Sequence, residues 1–167
     1  PLASAIGLEI MKKGGNAIDA AIATHFALSV VYPQAGNIGG GGFAVIRLDD
    51  GTIASLDFRE KAPGLADRDM YLDANGRLNS KQWSTHGNLA SGVPGAVDGM
   101  FQLHDKFGSL PMSELIQPSI DLAKNCYTLT ALAADILNIN QDEFQQQNRW
   151  SIPYLSDEPW QKGDTIQ

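Results

Sequence analysis

The apolar residues near the start of the chain recur at helical spacing and predict a first helix. Leu2, Ile6 and Ile10 follow one another at intervals of four residues. Lys12 and Lys13 then precede a pair of glycines. Basic residues in a last turn, followed by glycine, are typical of a helix end because they complement the dipole and the left-handed cap.

A second helix is predicted to begin after Asn16, which fits an N-cap, and to end before Pro33. Between these residues apolar side chains cover nearly the whole circumference, and many of them are alanine. A helix that is apolar all round is typical of a buried position. We therefore expect residues 17–31 to be buried and closely packed.

A β-hairpin is predicted over Phe43–Leu48 and Thr52–Phe58, joined by an Asp-Asp-Gly turn. Alternate residues of a strand point to opposite faces, and the apolar residues of the second strand share one face. Phe58 is therefore expected to point into a core, and Arg59 away from it or into a polar cavity.

The rest of the chain combines an irregular segment with further helices. Residues 60–94 are punctuated by glycine and proline, with at most a short helix near 67–72. So long a segment is typical of functional loops or of segments that wrap a partner surface. Helical spacing then predicts helices over 96–107, from 111 or 112 to 124, and from an N-cap at Thr130 to about 140. Pro118 predicts a kink or a new start, and the tail over 141–167 is polar.

The composition is that of an acidic globular protein. The 167 residues are 43% hydrophobic, and 12 basic against 19 acidic residues give a net charge of −7. The apolar content excludes intrinsic disorder, and the lack of clustered Lys and Arg argues against a nucleic-acid partner. The single cysteine, Cys126, excludes an internal disulfide and a zinc cage. The length fits one domain, or one piece of a larger one.

The sequence predicts no membrane span. Its longest apolar stretch, over residues 17–31, is interrupted by polar residues and is shorter than the ~20 residues that a span needs. No basic-then-apolar signal segment opens the chain, whose first residue is Pro1. The ends of the chain therefore indicate no compartment.

Four adjacent glycines, Gly39–Gly42, precede the first predicted strand. Dinucleotide-binding and P-loop folds need a strand, a glycine loop and a helix in that order, and here a helix precedes the glycines and a strand follows. Two interpretations remain. The pattern favours close packing of the strand entry against the alanine-rich helix; alternatively, the loop lies close to a ligand or to a nucleophile.

Arg59 follows the second predicted strand and is a candidate for binding a carboxylate. A guanidinium can donate two parallel hydrogen bonds to a carboxylate, so Arg59 at a strand end could hold the acid group of an amino-acid substrate. The alternative is an ion pair with Asp57 or Glu60. The pattern alone favours the ion pair.

The other residues with reactive side chains form no complete catalytic set. His25, His86 and His104 lack the spacing of metal ligands, so no metal site is predicted. His25 lies on the buried helix and is expected to be a hydrogen-bonded core residue. Cys126 is expected to be a small buried hydrophobic residue rather than a nucleophile.

Several separated segments, all in one order, closely resemble segments of the gamma-glutamyltranspeptidase family. The likeness extends from Ala3 over nearly the whole chain. The segments are Gly14–Ala21, Pro33–Phe43, Asp57–Glu60, Ala90–Gly95 and Lys162–Thr165.

This resemblance implies an α+β fold, the αββα four-layer sandwich of N-terminal nucleophile hydrolases. Residues 1–167 would be the N-terminal part of the large subunit, as a single partial domain. Such enzymes are made as a precursor that cuts itself into a large and a small subunit. The nucleophile is the N-terminal threonine of the small subunit, which lies outside this chain, so no catalytic residue is assigned here.

The resemblance also implies a role for the residues around Arg59. Arg59 matches the family arginine that contacts the α-carboxylate of the glutamyl group, which reverses the preference for an ion pair. Phe58 and Glu60 are expected to support it, by burying the strand end and by orienting the guanidinium. The implied partners are the small subunit of the same precursor and a gamma-glutamyl substrate such as glutathione, with no metal or cofactor.

Other functions remain open at this stage. A same-fold amide hydrolase, such as a cephalosporin acylase or a poly-gamma-glutamate depolymerase, would share the first helices and the glycine run. A non-catalytic acidic interaction module would require that the natural chain stop near Gln167. The resemblance further implies export to the periplasm or the medium. In isolation the chain is expected to be inactive, and to self-associate through exposed apolar surface.

Overall fold

The computed structural model describes residues 1–78 and 83–166. Residues 79–82 of the predicted irregular segment, and Gln167, lie outside the described residues. Within them the chain forms helices and strands in the order α1 (Leu2–Lys12), α2 (Ala17–Val31), β1 (Phe43–Arg47), β2 (Ile53–Asp57), a short 3-10 helix (Asn88–Ala90), α3 (Ala96–Phe107), α4 (Met112–Asn125), β3 (Tyr127–Thr128), α5 (Ala131–Ile139), α6 (Gln141–Gln147) and β4 (Thr165–Ile166). No helix among them is both long and apolar enough to cross a bilayer.

The chain divides into two compact units. The first unit is discontinuous and combines residues 1–37 with residues 107–167, while the second comprises residues 38–106. That the whole chain is one partial domain stays a prediction, because the division does not show whether the two units fold separately.

The boundary between α1 and α2 follows the predicted capping signals. After α1, Gly14 adopts a φ of +96°. The Gly14 N–H donates to the carbonyl of Met11, and the Gly15 N–H donates to that of Ile10. This is a Schellman motif, which satisfies carbonyls that the helix leaves without a partner. The Asn16 side chain then caps α2 by accepting from two backbone N–H groups.

The first unit is built around α2, which packs against both α1 and α4. Ile22, Ala23 and Ala27 of α2 are fully buried, whereas Ala17 and Ala21 are exposed, so the predicted burial is confirmed for one face and not for the whole circumference. A second apolar cluster joins the C-terminal segments: Tyr127, Leu129, Ala134, Leu137 and Ile166 are buried together. β3 and β4 pair antiparallel at its edge.

The second unit contains the predicted hairpin. β1 and β2 pair antiparallel, with Phe43 opposite Asp57 and Arg47 opposite Ile53. Ala54 and Leu56 are half-buried, whereas their neighbours in β2 are exposed, so the predicted alternation is confirmed. Helix α3 has the predicted bounds.

Pro118 lies inside a continuous α4, so the predicted new start is wrong, while a kink there stays a prediction. Leu115 and Ser119, on either side of it, are buried. The irregular segment was expected to hold at most a short helix near 67–72, and it forms turns there, with a bridge between Leu72 and Leu78.

Candidate functional site

The β1–β2 ladder continues one residue beyond the strands and ends at Phe58. The Phe58 N–H donates to the Gly42 carbonyl at 3.0 Å. Arg59 is the first residue after the ladder, and its backbone N–H donates to Oδ1 of Asp57 at 3.0 Å. This contact ties the backbone of Arg59 to the last residue of β2.

The guanidinium of Arg59 is accessible and only loosely engaged. Its side chain is 61% exposed, and Nη2 lies 3.8 Å from Oε1 of Glu60, too far for a hydrogen bond. The Cζ atom lies 5.9 Å from the centroid of the Phe43 ring, within the range of a cation–π contact. The guanidinium donates no hydrogen bond to the described part of the chain, so its donors are available to an external carboxylate.

The acidic neighbours of Arg59 do not neutralise it closely. Asp57 accepts the backbone N–H rather than the guanidinium. The pair with Glu60 is long and exposed, and exposed ion pairs of this kind contribute little free energy. The ion pair that the sequence pattern favoured exists only as this loose contact.

Three segments that are distant in the sequence meet beside Arg59. Lys61 and Val93 exchange backbone hydrogen bonds of 3.1 and 2.8 Å. The Gly40 carbonyl accepts the Gly95 N–H at 2.7 Å. The glycine run, the segment after β2 and the segment before α3 therefore lie together, and each of them carries part of the family resemblance.

The glycine run packs against the end of β2. A Cβ atom at Gly41 would lie 2.5 Å from the Phe58 carbonyl oxygen and from the Glu60 nitrogen, and one at Gly42 would lie 3.0 Å from the Phe58 ring. The contacts that require glycine at these two positions are thus with this segment. They support a packing role for the run, while packing against the alanine-rich helix stays a prediction.

The glycines before and within α3 were missed as contacts of the site. Gly95 lies against the Phe58 carbonyl, and Gly99 lies against the Phe58 side chain. Phe58 is half-buried by these contacts. A signal was available in the sequence, because a glycine inside a helix is unfavourable relative to alanine and calls for a packing reason.

His25 and Cys126 both differ from what the sequence predicted. His25 Nε2 is buried without a hydrogen-bond partner, which corrects the expectation of a hydrogen-bonded histidine, and burial lowers the pKa of its imidazole. Cys126 is half-buried rather than buried. Among the described residues no group of three or more His, Cys, Asp or Glu side chains is placed to hold a metal ion.

Comparison with known proteins identifies the family. The family model for gamma-glutamyltranspeptidase matches residues 3–167. A glutathione hydrolase proenzyme of Escherichia coli is 43% identical over 166 residues, which are 98% of this chain and 28% of that protein. The gamma-glutamyltranspeptidase of Helicobacter pylori superposes with a TM-score of 0.90 at 46% identity, over 99% of this chain and 48% of that one.

The fold is therefore part of the αββα fold of N-terminal nucleophile hydrolases, as the resemblance implied. The chain belongs to the gamma-glutamyltranspeptidase family. It spans just over a quarter of the length of the Escherichia coli relative. An acylase proenzyme of a Pseudomonas strain is also similar, at 41% identity over 146 residues, which are 84% of this chain and 26% of that protein.

Proposed function

We propose that the chain is part of a gamma-glutamyltranspeptidase. The complete protein cleaves gamma-glutamyl amides such as glutathione and passes the glutamyl group to water or to an amino acid or peptide. The glutathione hydrolase proenzymes among its relatives support this activity. The acyl group is carried by the N-terminal threonine of a small subunit from the same precursor, whose amino group serves as the base.

In this proposal Arg59 binds the α-carboxylate of the glutamyl group. The observation that carries it is the guanidinium itself, which is exposed at the end of β2 and donates no hydrogen bond to the described residues. A bidentate contact there would use two of its donors and would orient the substrate along one axis. Phe58 packs at the strand end, and Glu60 places a negative charge beside the guanidinium, with its Oε1 3.8 Å from Nη2.

The test is Arg59→Lys in the full-length precursor. An ammonium cannot reproduce the planar fork, so KM for gamma-glutamyl-p-nitroanilide should rise about 10- to 100-fold, as expected for a lost charged hydrogen bond of about 1.5–3 kcal/mol. Self-cleavage of the precursor, followed on a denaturing gel, should be unchanged because the carboxylate site does not take part in it.

Arg68→Lys is the matched control. Arg68 lies in the same unit, is almost fully exposed and pairs with the neighbouring Asp69. This variant should keep the wild-type KM. If Arg59→Lys also keeps the wild-type KM in fully processed enzyme, Arg59 does not bind the substrate carboxylate.

The acylase relative favours a second candidate function, the cleavage of another amide by the same fold. Gamma-glutamyl and glutaryl p-nitroanilides both carry the carboxylate and differ only in the α-amino group. A transpeptidase should prefer the gamma-glutamyl compound, and an acylase should accept the glutaryl one. Both substrates carry the carboxylate that Arg59 would bind. The assay therefore tests which amide the enzyme prefers, independently of the proposed role of Arg59.

We also propose that the complete protein is exported to the periplasm or the medium. The support is the family resemblance alone. Fractionation of the cells that produce the full-length protein, with activity measured in each fraction, tests this location.

A further inference from the structure

The side chain and carbonyl of Phe58 lie against three glycines from separate segments, which we call the glycine slot: Gly42, Gly95 and Gly99. A Cβ atom at Gly99 would lie 2.7 Å from the Phe58 Cβ, and one at Gly42 would lie 3.0 Å from its Cε2. A Cβ atom at Gly95 would lie 2.9 Å from the Phe58 carbonyl carbon. Real Cβ atoms essentially never come closer than 3.0 Å to such neighbours, so two of the three positions admit no side chain without a shift.

Space, rather than backbone conformation, accounts for these glycines. None of the three is among the residues with a positive φ, so alanine could adopt their backbone angles. Gly99 lies inside α3, where alanine would be the better helix former. The ring of Phe58 is therefore the physical reason for glycine at this position.

The slot restrains the backbone from which Arg59 projects. Phe58 is hydrogen-bonded to Gly42 on one side, and Gly95 lies against the Phe58 and Arg59 carbonyl groups on the other. Arg59 itself has an exposed side chain with one long ion pair and one cation–π contact. The packed backbone fixes the point from which the Arg59 side chain starts, and so limits the positions that its guanidinium can reach.

We infer that Gly99 and Gly42 are positioning residues, which act through Phe58 to aim Arg59 at the substrate α-carboxylate. This inference rests on the proposed function of Arg59. A planar fork binds a carboxylate bidentately over a narrow range of positions, and a displacement of about 1 Å at a binding group can change a rate on the order of 100-fold. A side chain added to the slot therefore weakens carboxylate binding without touching the substrate.

The experiment uses Gly99→Ala in the full-length, processed enzyme and two substrates. Gamma-glutamyl-p-nitroanilide carries the α-carboxylate, and 4-aminobutyryl-p-nitroanilide lacks it. The kcat/KM for the first should fall on the order of 10-fold, mostly through KM, with that for the second unchanged. A general structural defect would lower both values, and that result would overturn the inference.

Gly42→Ala is the milder second variant, since its Cβ would press only on the far edge of the Phe58 ring, at 3.0–3.1 Å. It should show the same selective loss, smaller in size. Gly64→Ala is the matched control, because Gly64 lies in the same unit with open space around its Cβ position and no positive φ. If both slot variants fail to fold while Gly64→Ala folds, the slot serves stability alone and the inference is wrong.

A double variant separates this inference from the proposed function. In an Arg59→Lys background, Gly99→Ala should add little to KM, because the two residues act on one contact. If Arg59→Lys leaves KM unchanged, the proposed function fails. If Arg59→Lys raises KM and neither slot variant does so, only the positioning role fails.

Discussion

Asp19 shows at the scale of one residue how a buried charge can be satisfied by the chain itself. Its side chain is 0% exposed. It accepts the Asn16 N–H at 2.9 Å and the Ser109 N–H at 3.0 Å, together with the Ser109 hydroxyl. Burial by itself raises the pKa of this carboxyl, but the hydrogen bonds outweigh it and the pKa lies below its ordinary value. Asp19 therefore stays ionised and joins the two segments of the first unit.

The depressed pKa makes a prediction about stability in acid. A carboxyl whose pKa is lower in the folded than in the unfolded state contributes stability that is fully present above the unfolded pKa. That contribution is lost as the pH falls through the folded pKa, so Asp19→Asn should lower the unfolding midpoint of the full-length protein most at neutral pH. We expect a loss of about 1–3 kcal/mol, because an amide cannot accept from all of these donors. Thermal unfolding between about pH 3 and pH 7 measures it.

Asp135→Asn serves as the control, since Asp135 is exposed on α5 in the same unit. Its midpoint should follow the wild type at each pH. A constant difference between Asp19→Asn and wild type over the whole range would mean that Asp19 stabilises the fold by packing rather than by its charge.

At the scale of elements, the strongest local signals lie where α1 ends and α2 begins. The Schellman motif at Gly14 and the capping box of Asn16 with Asp19 both depend on residues close together in the sequence. The glycine stop and the Asn16 cap were predicted from the sequence, whereas the part of Asp19 in the capping box and its contact with Ser109 were not. The caps therefore place the helix boundaries through local contacts.

Gly14→Ala tests the first of these caps. At a φ of +96° a Cβ is strained, so the variant should lose about 1 kcal/mol of stability even though the space around Gly14 is open. Chemical denaturation of the full-length protein measures the loss. Gly64→Ala, where no positive φ is required, should be neutral or slightly stabilising; equal losses in the two variants would contradict the cap.

At the scale of the whole molecule, one face of the hairpin carries three large apolar side chains that the described residues leave exposed. Phe43, Val45 and Ile53 are 65%, 81% and 71% exposed. Within residues 1–78 and 83–166 this sheet has two strands, and a two-stranded hairpin is marginally stable in water. Because the chain spans 28% of the length of the Escherichia coli relative, we expect the complete protein to cover this face.

The 167-residue chain by itself should therefore self-associate. Val45→Lys places a charge in the middle of the exposed face and should shift the chain toward monomer, because a charge opposes edge-to-edge and face-to-face pairing of strands. Sedimentation velocity at several concentrations measures the shift. Gln146→Lys adds the same charge at an exposed position of α6 and should leave the association unchanged. If both variants shift the chain equally toward monomer, the net charge and not this face of the hairpin controls the association.

The elements that the sequence did not predict either depend on contacts between distant residues or lack an apolar period. β3 and β4 were missed because each has two residues and they pair Tyr127 with Ile166 across a long separation. α6 was missed because its polar sequence carries no apolar period. The role of Arg59 could be proposed only through the family resemblance, since the local pattern favours an ion pair.

By itself the sequence determined the first two helices, the hairpin and α3, because caps, turns and apolar periods act between residues a few positions apart. The family also followed from the order of short segments along the chain. Only the tertiary structure decided that the glycine run, the Arg59 segment and the start of α3 meet around Phe58. Such a meeting depends on which distant surfaces fit together, and no pattern along the chain encodes that fit directly.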